Sequence, residues 1–406
     1  MANDPYAPLR YPDFLRLIAS YGTSTVAREA QIVVIGWQVF ARTRDPLALG
    51  LIGLAEALPF IGVALYAGHL ADRGERRNIA VIGTIGMLLS AVALLAFTLR
   101  PSMLAAGIWP IYAVIFASGI ARSFARPAVT ALSAEIVPRE LYTSSVAWRS
   151  STWHLAAIVG PALGGLIYGY AGAAMAYTFV IVLMVAAVVA LWMITHRGRA
   201  VAVDDVPLGE SVKIGLRFLW NDPVMLAAMS LDLFAVLFGG AIALLPAFAD
   251  LLGAGPKGLG ILRAAPAVGA VMTGLWVAHR PPMRSAGRML FGSVAVYGLC
   301  MIAFALSRNF WLSLVLLALS GMADNVSVVI RSTLMQLRTP DGMLGRVSSV
   351  NQIFIGASNE IGAFESGVAA RLLGIVPSVI FGGTMTLLVV AITAWRSPLL
   401  RKLREL

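Results

Sequence analysis

About twelve hydrophobic stretches run along the chain, and charged side chains fall inside some of them while avoiding others. Residues 78–99, 173–195, 289–306 and 375–395 contain no charge, whereas neighbouring stretches hold Glu29, Arg122, Asp232 and Asp324. A bilayer core needs about 20 apolar residues per helix. The pattern therefore predicts spanning helices near residues 14–41, 46–70, 78–99, 107–137, 142–170, 173–195, 223–249, 257–279, 289–306, 309–337, 346–372 and 375–396. A charge near a helix centre costs about 2.5–3.5 kcal/mol on insertion scales, so it persists where it faces protein or water. The charged helices are expected to line something wet, and the clean ones to face lipid.

Composition agrees with this reading. Of 406 residues, 59% are hydrophobic and 13% charged, and the mean hydropathy is +0.83. That excludes an ordinary soluble domain and leaves no length for a separate soluble catalytic one. Residues 1–13 are polar and lack the basic start, short apolar core and cleavage site of a signal peptide, so the first stretch is expected to be retained as a helix. The net charge of +11 reports topology rather than a nucleic-acid partner, because the basic residues collect on alternate loops. Arg73, Arg76 and Arg77 follow the second stretch, Arg197 and Arg199 the sixth, Arg280, Arg284 and Arg288 the eighth, and Arg396, Arg401, Lys402 and Arg404 the twelfth. By the positive-inside rule both termini are expected in the cytoplasm.

Cys300 is the single cysteine, and the histidines His69, His154, His196 and His279 are scattered. Neither a disulfide framework nor a metal site is expected. No GxxxxGK[ST], HExxH or GxSxG motif occurs, which argues against direct ATP use, an enzyme and a resident cofactor.

The longest polar stretch divides the chain into an N-terminal bundle of six helices (1–195), a cytoplasmic linker (196–222) and a C-terminal bundle of six (223–406). Within the linker, 211–220 is amphipathic and suits a membrane surface. The halves echo each other at one common offset. Val137-Pro138 aligns with Thr339-Pro340, Ser144-Ser145-Val146 lies close to Ser348-Ser349-Val350, and Gly160 and Gly165 align with Gly362 and Gly367. Parallel six-helix repeats are a transporter architecture.

The loop Gly68-His-Leu-Ala-Asp72-Arg73-Gly74-Glu-Arg76-Arg77 resembles the cytoplasmic signature of the major facilitator superfamily. The resemblance implies a latch between conformational states, with Gly68 allowing close helix approach, Asp72 pairing across an interface, and Arg73, Arg76 and Arg77 anchored at lipid headgroups. In the second half the corresponding place, from Gly274 to Arg284, lacks the aspartate. Residues 156–165, ending Gly160-Pro161-Ala-Leu-Gly164-Gly165, resemble the antiporter motif of the same superfamily, with alanine at the usual first glycine. Small residues there permit tight packing and the proline bends the helix. Phe14-Leu-Arg-Leu, Asp45-Pro-Leu-Ala-Leu-Gly50-Leu, Ala125-Arg-Pro-Ala and Val137-Pro-Arg-Glu140 resemble the branch containing enterobactin exporters and macrolide or multidrug efflux proteins. This implies a proton-driven exporter working by alternating access, monomeric, in a bacterial inner membrane, with a small-molecule substrate and protons as its partners besides the lipid bilayer.

In that superfamily the first, fourth, seventh and tenth helices line the cavity, and the third, sixth, ninth and twelfth lie outside. The four charge-free stretches fall on the outer set. The buried charges comprise six acids (Glu29, Glu56, Asp232, Asp324, Glu360 and Glu365) and six arginines (Arg28, Arg122, Arg126, Arg149, Arg263 and Arg331). Twelve unpaired charges would cost roughly 36 kcal/mol, so most must be paired or hydrated. Glu29 or Asp232 is the expected proton-coupling carboxylate, followed by Asp324. The alternative for each is a permanent ion pair that fixes helix register. Tyr21, Trp37, Phe234 and Phe238, with Arg122 and Arg126 on one helix face, are the candidate substrate contacts, or else simple packing. Because acids and arginines balance, the substrate's charge cannot be read from the sequence. A lipid or lysophospholipid flippase and a metal-ion exporter on the same fold are the rival readings.

Overall fold

The computed structural model describes residues 4–198, 208–279 and 285–403. All regular elements among these residues are helical. The longer ones are α1 (Pro12–Thr43), α2 (Pro46–Arg73), α3 (Arg76–Leu99), α4 (Trp109–Glu135), α5 (Tyr142–Trp192), α6 (Leu208–Asn221) and α7 (Pro223–Phe238). They continue with α8 (Leu245–Leu251), α9 (Gly255–Ala278), α10 (Ala286–Leu306), α11 (Phe310–Arg338), α12 (Asp341–Leu373), α13 (Ile375–Arg396) and α14 (Pro398–Arg401).

Glycines break the helices at two places. The stretches 142–170 and 173–195 are two helical arms of α5 that meet at Gly172, whose φ of 82° suits glycine alone. The α5 chain thus has two arms of membrane length. The stretch 223–249 is not one helix: α7 ends at Phe238 and the chain passes through a 3₁₀ turn, Gly240–Leu244, before α8. Gly239 and Gly240 favour that interruption by removing side-chain packing from the helix.

Seven helices among the described residues are long and apolar enough to cross a membrane. The charge-free ones show large apolar side chains to the outside: Leu89 on α3, Val182 on the second arm of α5, Leu299 on α10, and Leu388 and Trp395 on α13 are all exposed. Such a surface requires lipid, since water would not tolerate it. The helices α1 and α4 are long enough to span but are diluted by the polar side chains described below.

The chain forms two compact units. Unit 1 is Met1–Ala41, Ala55–Asp204 and Pro256–Ala264; unit 2 is Arg42–Leu54, Asp205–Gly255 and Ala265–Leu406. Inside unit 1, Ala27 and Ala30 of α1 pack with Ala91 of α3 and with Val180 and Met184 on the second arm of α5. Inside unit 2, Leu231 and Ala235 of α7 pack with Leu290 and Val294 of α10 and Ile330 of α11. Small residues at these contacts let helices approach closely where no water-driven force operates between them.

The glycines that repeat along the sequence make matching contacts. A Cβ at Gly160 of α5 would lie 2.8 Å from the carbonyl oxygen of Val26 in α1, and one at Gly362 of α12 would lie 2.9 Å from that of Leu237 in α7. Five residues later, a Cβ at Gly165 would lie 2.7 Å from Gly260 Cα in α9, and one at Gly367 would lie 2.6 Å from Gly50 Cα in α2. Each helix therefore has one face pressed on the first helix of its half and the next turn pressed on a helix piece from the other half of the sequence. The duplication seen as isolated letters is a duplication of packing.

Candidate functional site

The polar residues of unit 1 form a network built on five elements, α1, α2, α4, α5 and α9. Arg28 Nη1 donates to Glu29 Oε1 at 2.9 Å, and Arg28 and Arg122 each approach Glu56 Oε1 at 3.8 Å. Arg263, from α9, reaches Glu29 Oε2 at 4.0 Å. Arg126 lies one turn from Arg122 on α4, and its electrostatic neighbours are Arg122, Arg28, Arg149 and Tyr21. The Arg149 guanidinium stands over the Tyr21 ring, 5.7 Å from its centroid, and donates to Ser133 Oγ at 2.8 Å and Thr130 Oγ1 at 3.1 Å.

This network joins Tyr21, Glu29, Arg122 and Arg126 with Arg28, Glu56, Arg149 and Arg263. Trp37 does not belong to it. Sixteen residues of helix separate Tyr21 from Trp37, about 24 Å at 1.5 Å per residue, so one small molecule cannot rest on both. Trp37 is half-buried.

Unit 2 carries a second, acidic network. Asp232 of α7 and Arg331 of α11 form a direct ion pair, each side chain 10% exposed, and Arg331 Nε also donates to Ser327 Oγ at 3.2 Å. Asp324, two turns before Arg331 on α11, has Asp232 and Arg331 as electrostatic neighbours. Its side chain is exposed, and no hydrogen bond or ion pair engages it among the described residues. The Tyr297 hydroxyl, beside both aspartates, donates to the Gly239 carbonyl at 3.0 Å. Phe234 and Phe238 stack one turn apart on α7, with ring centroids 6.4 Å apart and planes inclined by 15°. The candidate substrate aromatics are therefore divided between the two units.

The latch residues are more deeply tied into the protein than the sequence reading held. The side chains of Gly68, Asp72 and Arg73 lie outside the described residues. Arg76 and Arg77 both make contacts within the protein. Arg76 is buried and pairs with Glu135 at the end of α4, while Arg77 Nη1 donates to the Ile194 carbonyl at 2.9 Å, just past α5. His196 Nε2 approaches Glu135 Oε2 at 3.6 Å. Asp13, in the first turn of α1, accepts from the Thr195 hydroxyl at 2.7 Å and from the backbone N–H groups of Thr195 and His196. The physical reason is that an arginine at a helix start neutralises the carboxylates and carbonyls exposed at the ends of neighbouring helices. Sequence reasoning missed Asp13 and Glu135; their position beside helix ends was the available signal.

The antiporter-like segment is a contact surface. A Cβ at Gly164 would lie 2.7 Å from the Cα of Ala30, the residue after Glu29. The buried Pro161 sits between Gly160 and Gly164, with its own carbonyl against Gly260. This places the α5 motif directly behind the ionic cluster on α1.

Similarity to known proteins covers the whole chain. The family model described as transmembrane secretion effector matches residues 3–405. The enterobactin exporter EntS of Escherichia coli O1:K1 / APEC is 27% identical over 407 residues, covering 95% of this chain and 94% of its own. EntS of Shigella flexneri is 26% identical over 397 residues with the same coverage. Among solved structures, the nucleoside transporter NupG superposes with a TM-score of 0.75 at 10% identity, over 94% of this chain and 99% of its own. The D-xylose–proton symporter superposes with a TM-score of 0.71 at 15% identity, over 94% and 97%. These structures share the fold, and with the family match across nearly every residue they make this integral membrane protein a transporter rather than an enzyme: the chain belongs to the transmembrane secretion effector family of the major facilitator superfamily.

Proposed function

We propose that the chain is a proton-coupled exporter of an amphipathic small organic molecule, with twelve spans, both termini in the cytoplasm and a single chain as the working unit. The relatives named as enterobactin exporters support outward transport of a siderophore-like cargo. The observation that carries proton coupling is Asp324: an exposed carboxylate, unengaged among the described residues, beside the Asp232–Arg331 pair.

The trio carries a formal charge of −1 when Asp324 is ionised and zero when it holds a proton. Removing a net charge from water in a membrane is far costlier than removing a neutral set. A conformation that hydrates Asp324 therefore tolerates the empty carboxylate, and one that occludes it demands a proton. That difference is the requirement for coupling, because a proton can bias a two-state equilibrium only through its differential affinity for the states. Glu29, engaged by Arg28 and approached by Arg263, and Asp232, engaged by Arg331, are charge partners that hold the helices in register. This places Asp324 ahead of the two carboxylates that sequence reasoning favoured.

Reconstitution into proteoliposomes with an imposed pH gradient tests the reading. Wild-type protein is expected to drive cargo against its gradient in proportion to the pH difference. Asp324→Asn is expected to abolish that uphill movement while retaining exchange of labelled for unlabelled cargo. Undiminished gradient-driven transport in Asp324→Asn would remove Asp324 from the mechanism, and insensitivity of the wild type to the gradient would remove proton coupling altogether.

A further inference from the structure

The two arms of α5 meet at Gly172, and between them lies a groove of about 510 Å³. Its walls include Leu166, Ile167 and Tyr170 on the first arm and Met175, Phe179 and Val182 on the second. Thr178, also in the wall, turns its hydroxyl onto the Ala174 carbonyl at 2.9 Å, so that group is satisfied inside its own helix. Tyr170, Met175 and Val182 are exposed, and the groove opens on the side of the unit that faces the bilayer. Val182 lies ten residues past Gly172, about 15 Å along the arm. That is half of a hydrocarbon core of about 30 Å, the depth of one leaflet. At the mouth stands Lys257, from the first turn of α9 and in the same compact unit as α5. Its Nζ sits over the Tyr170 ring, 3.5 Å from the centroid. Gly169 makes this possible: a Cβ there would lie 2.9 Å from Lys257 Cε, so its absence leaves room for the lysine stem to lie across α5. The ring face holds the ammonium but offers it no oxygen, and no hydrogen bond or ion pair engages Lys257 among the described residues.

We infer that this groove is a binding site for an anionic phospholipid, with an acyl chain between the arms of α5 and the phosphate on Lys257. The site is separate from the ionic networks and does not depend on what the protein transports. A gap between helices in a bilayer is filled, because an empty one forfeits dispersion contacts along its whole lining. An apolar body of one leaflet's depth is an acyl chain. Tyrosine rings settle at headgroup level, and a lysine lays its apolar stem on the protein while its charge stays at the interface. Tyr170 and Lys257 therefore mark where the chain ends and the headgroup begins. The ammonium has three donors and no acceptor, which suits a phosphate. A zwitterionic lipid brings the same chain and phosphate, but its own cation competes with Lys257, so the site favours a lipid of net negative charge. The groove starts directly after Gly164 and Gly165, which press on Ala30 of α1 and Gly260 of α9. A lipid seated there braces the helix contact behind Glu29 and is expected to raise the unfolding midpoint.

The test uses the full chain in detergent micelles, titrated with dioleoyl phosphatidylglycerol or dioleoyl phosphatidylcholine and weighed by native mass spectrometry. The first phosphatidylglycerol is expected to bind ~5-fold more tightly than the first phosphatidylcholine, the size expected of one lysine at a lipid surface. The preference is expected to shrink as salt screens the ammonium. Phosphatidylglycerol with a diazirine in one acyl chain is expected to label residues 166–182 ahead of the other lipid-facing helices. Lys257→Met keeps an apolar stem against Gly169 and removes the charge; it is expected to erase the preference and leave phosphatidylcholine binding unchanged. Lys257→Arg is expected to retain the preference. Val182→Trp fills the groove and is expected to weaken both lipids by ~10-fold, the worth of about two buried methylene groups, and to end labelling of 166–182. Leu388→Trp, on the exposed face of α13, is expected to change neither. Equal affinity for the two lipids, an undiminished preference in Lys257→Met, or labelling spread evenly over the lipid-facing helices would overturn the site. So would a dimer mass with protein–protein crosslinks through Met175, which would give the groove to a second copy of the chain.

Discussion

The Asp232–Arg331 pair sets a quantitative expectation that depends on its third neighbour. Each side chain is 10% exposed, so removal of one partner strands a nearly buried charge, at a cost of about 3–5 kcal/mol. The two removals are not equivalent, because Asp324 is an electrostatic neighbour of both residues. Asp232→Ala leaves one arginine facing one carboxylate, which can take over as its partner, and the loss is expected near or below the lower end of that range. Arg331→Ala leaves two carboxylates facing each other, and the loss is expected at the upper end. Those carboxylates can escape by taking up protons, so the Arg331→Ala deficit is expected to shrink as pH falls from 8 to 5, whereas that of Asp232→Ala stays level. The double variant Asp232→Leu/Arg331→Met removes both charges and is expected to be the most stable of the three. Thermal unfolding is readable through Cys300, the single, buried cysteine, by a dye that fluoresces on reacting with the thiol once the core opens. Equal midpoints for the two single variants, or a double variant as low as the sum of both losses, would show that the three groups do not act as one electrostatic unit.

Three further outcomes follow from individual contacts. Alanine at Gly165 would place its Cβ 2.5 Å from the Pro256 carbonyl oxygen, and alanine at Gly367 would meet Gly50; both are expected to lower the unfolding midpoint and slow transport, while Gly292→Ala, with nothing within 4 Å, is expected to change neither. Tyr177→Phe deprives the buried Gln38 Oε1 of its 2.8 Å donor, and an unsatisfied buried acceptor costs about 1–3 kcal/mol; a midpoint equal to wild type would refute the bond. Burial alone would raise the Asp222 carboxyl, but the backbone N–H groups of Met225 and Val224 together with Arg338 outweigh it and hold Asp222 below its ordinary value of 3.8. The lowered value means that the stability wild type gains over Asp222→Asn is fully present above pH ~4 and disappears as pH falls through the folded-state value, which midpoints measured from pH 7 to pH 3 would show.

The fold was legible because lipid makes the rules strict. A helix facing acyl chains cannot carry an unpaired charge, so the four clean stretches declared themselves as outward elements. The repeated glycines declared close contacts because no other residue lets two backbones approach to that distance. Helix continuity was harder to read. The hydrophobic signal runs unbroken through Gly239 and Gly240, where the helix is interrupted. Hydropathy measures the solvent a segment prefers, and a break buried among other helices does not change that preference.

The site was legible in its residue types and illegible in its pairing. Acids and arginines inside membrane helices stood out by residue type, but a charge on a helix has several possible partners, and only tertiary contact selects among them. Glu29 was read as free to titrate because its distant partner, Arg263, is far away along the chain. Arg76 was read as a surface anchor because Glu135 lies at the far end of another helix. Once the partners are known, the total ceases to be informative and the partition becomes so. Acids and arginines are equal in number among these helix charges, yet five of the six arginines belong to one compact unit and four of the six acids to the other. A single helix piece, Pro256–Ala264, carries Arg263 into unit 1 and widens that difference. The segment from Gly164 to Gly165 packs against α1 and α9 where these bring Glu29 and Arg263 together, so the motif that makes close packing possible also determines which charges meet.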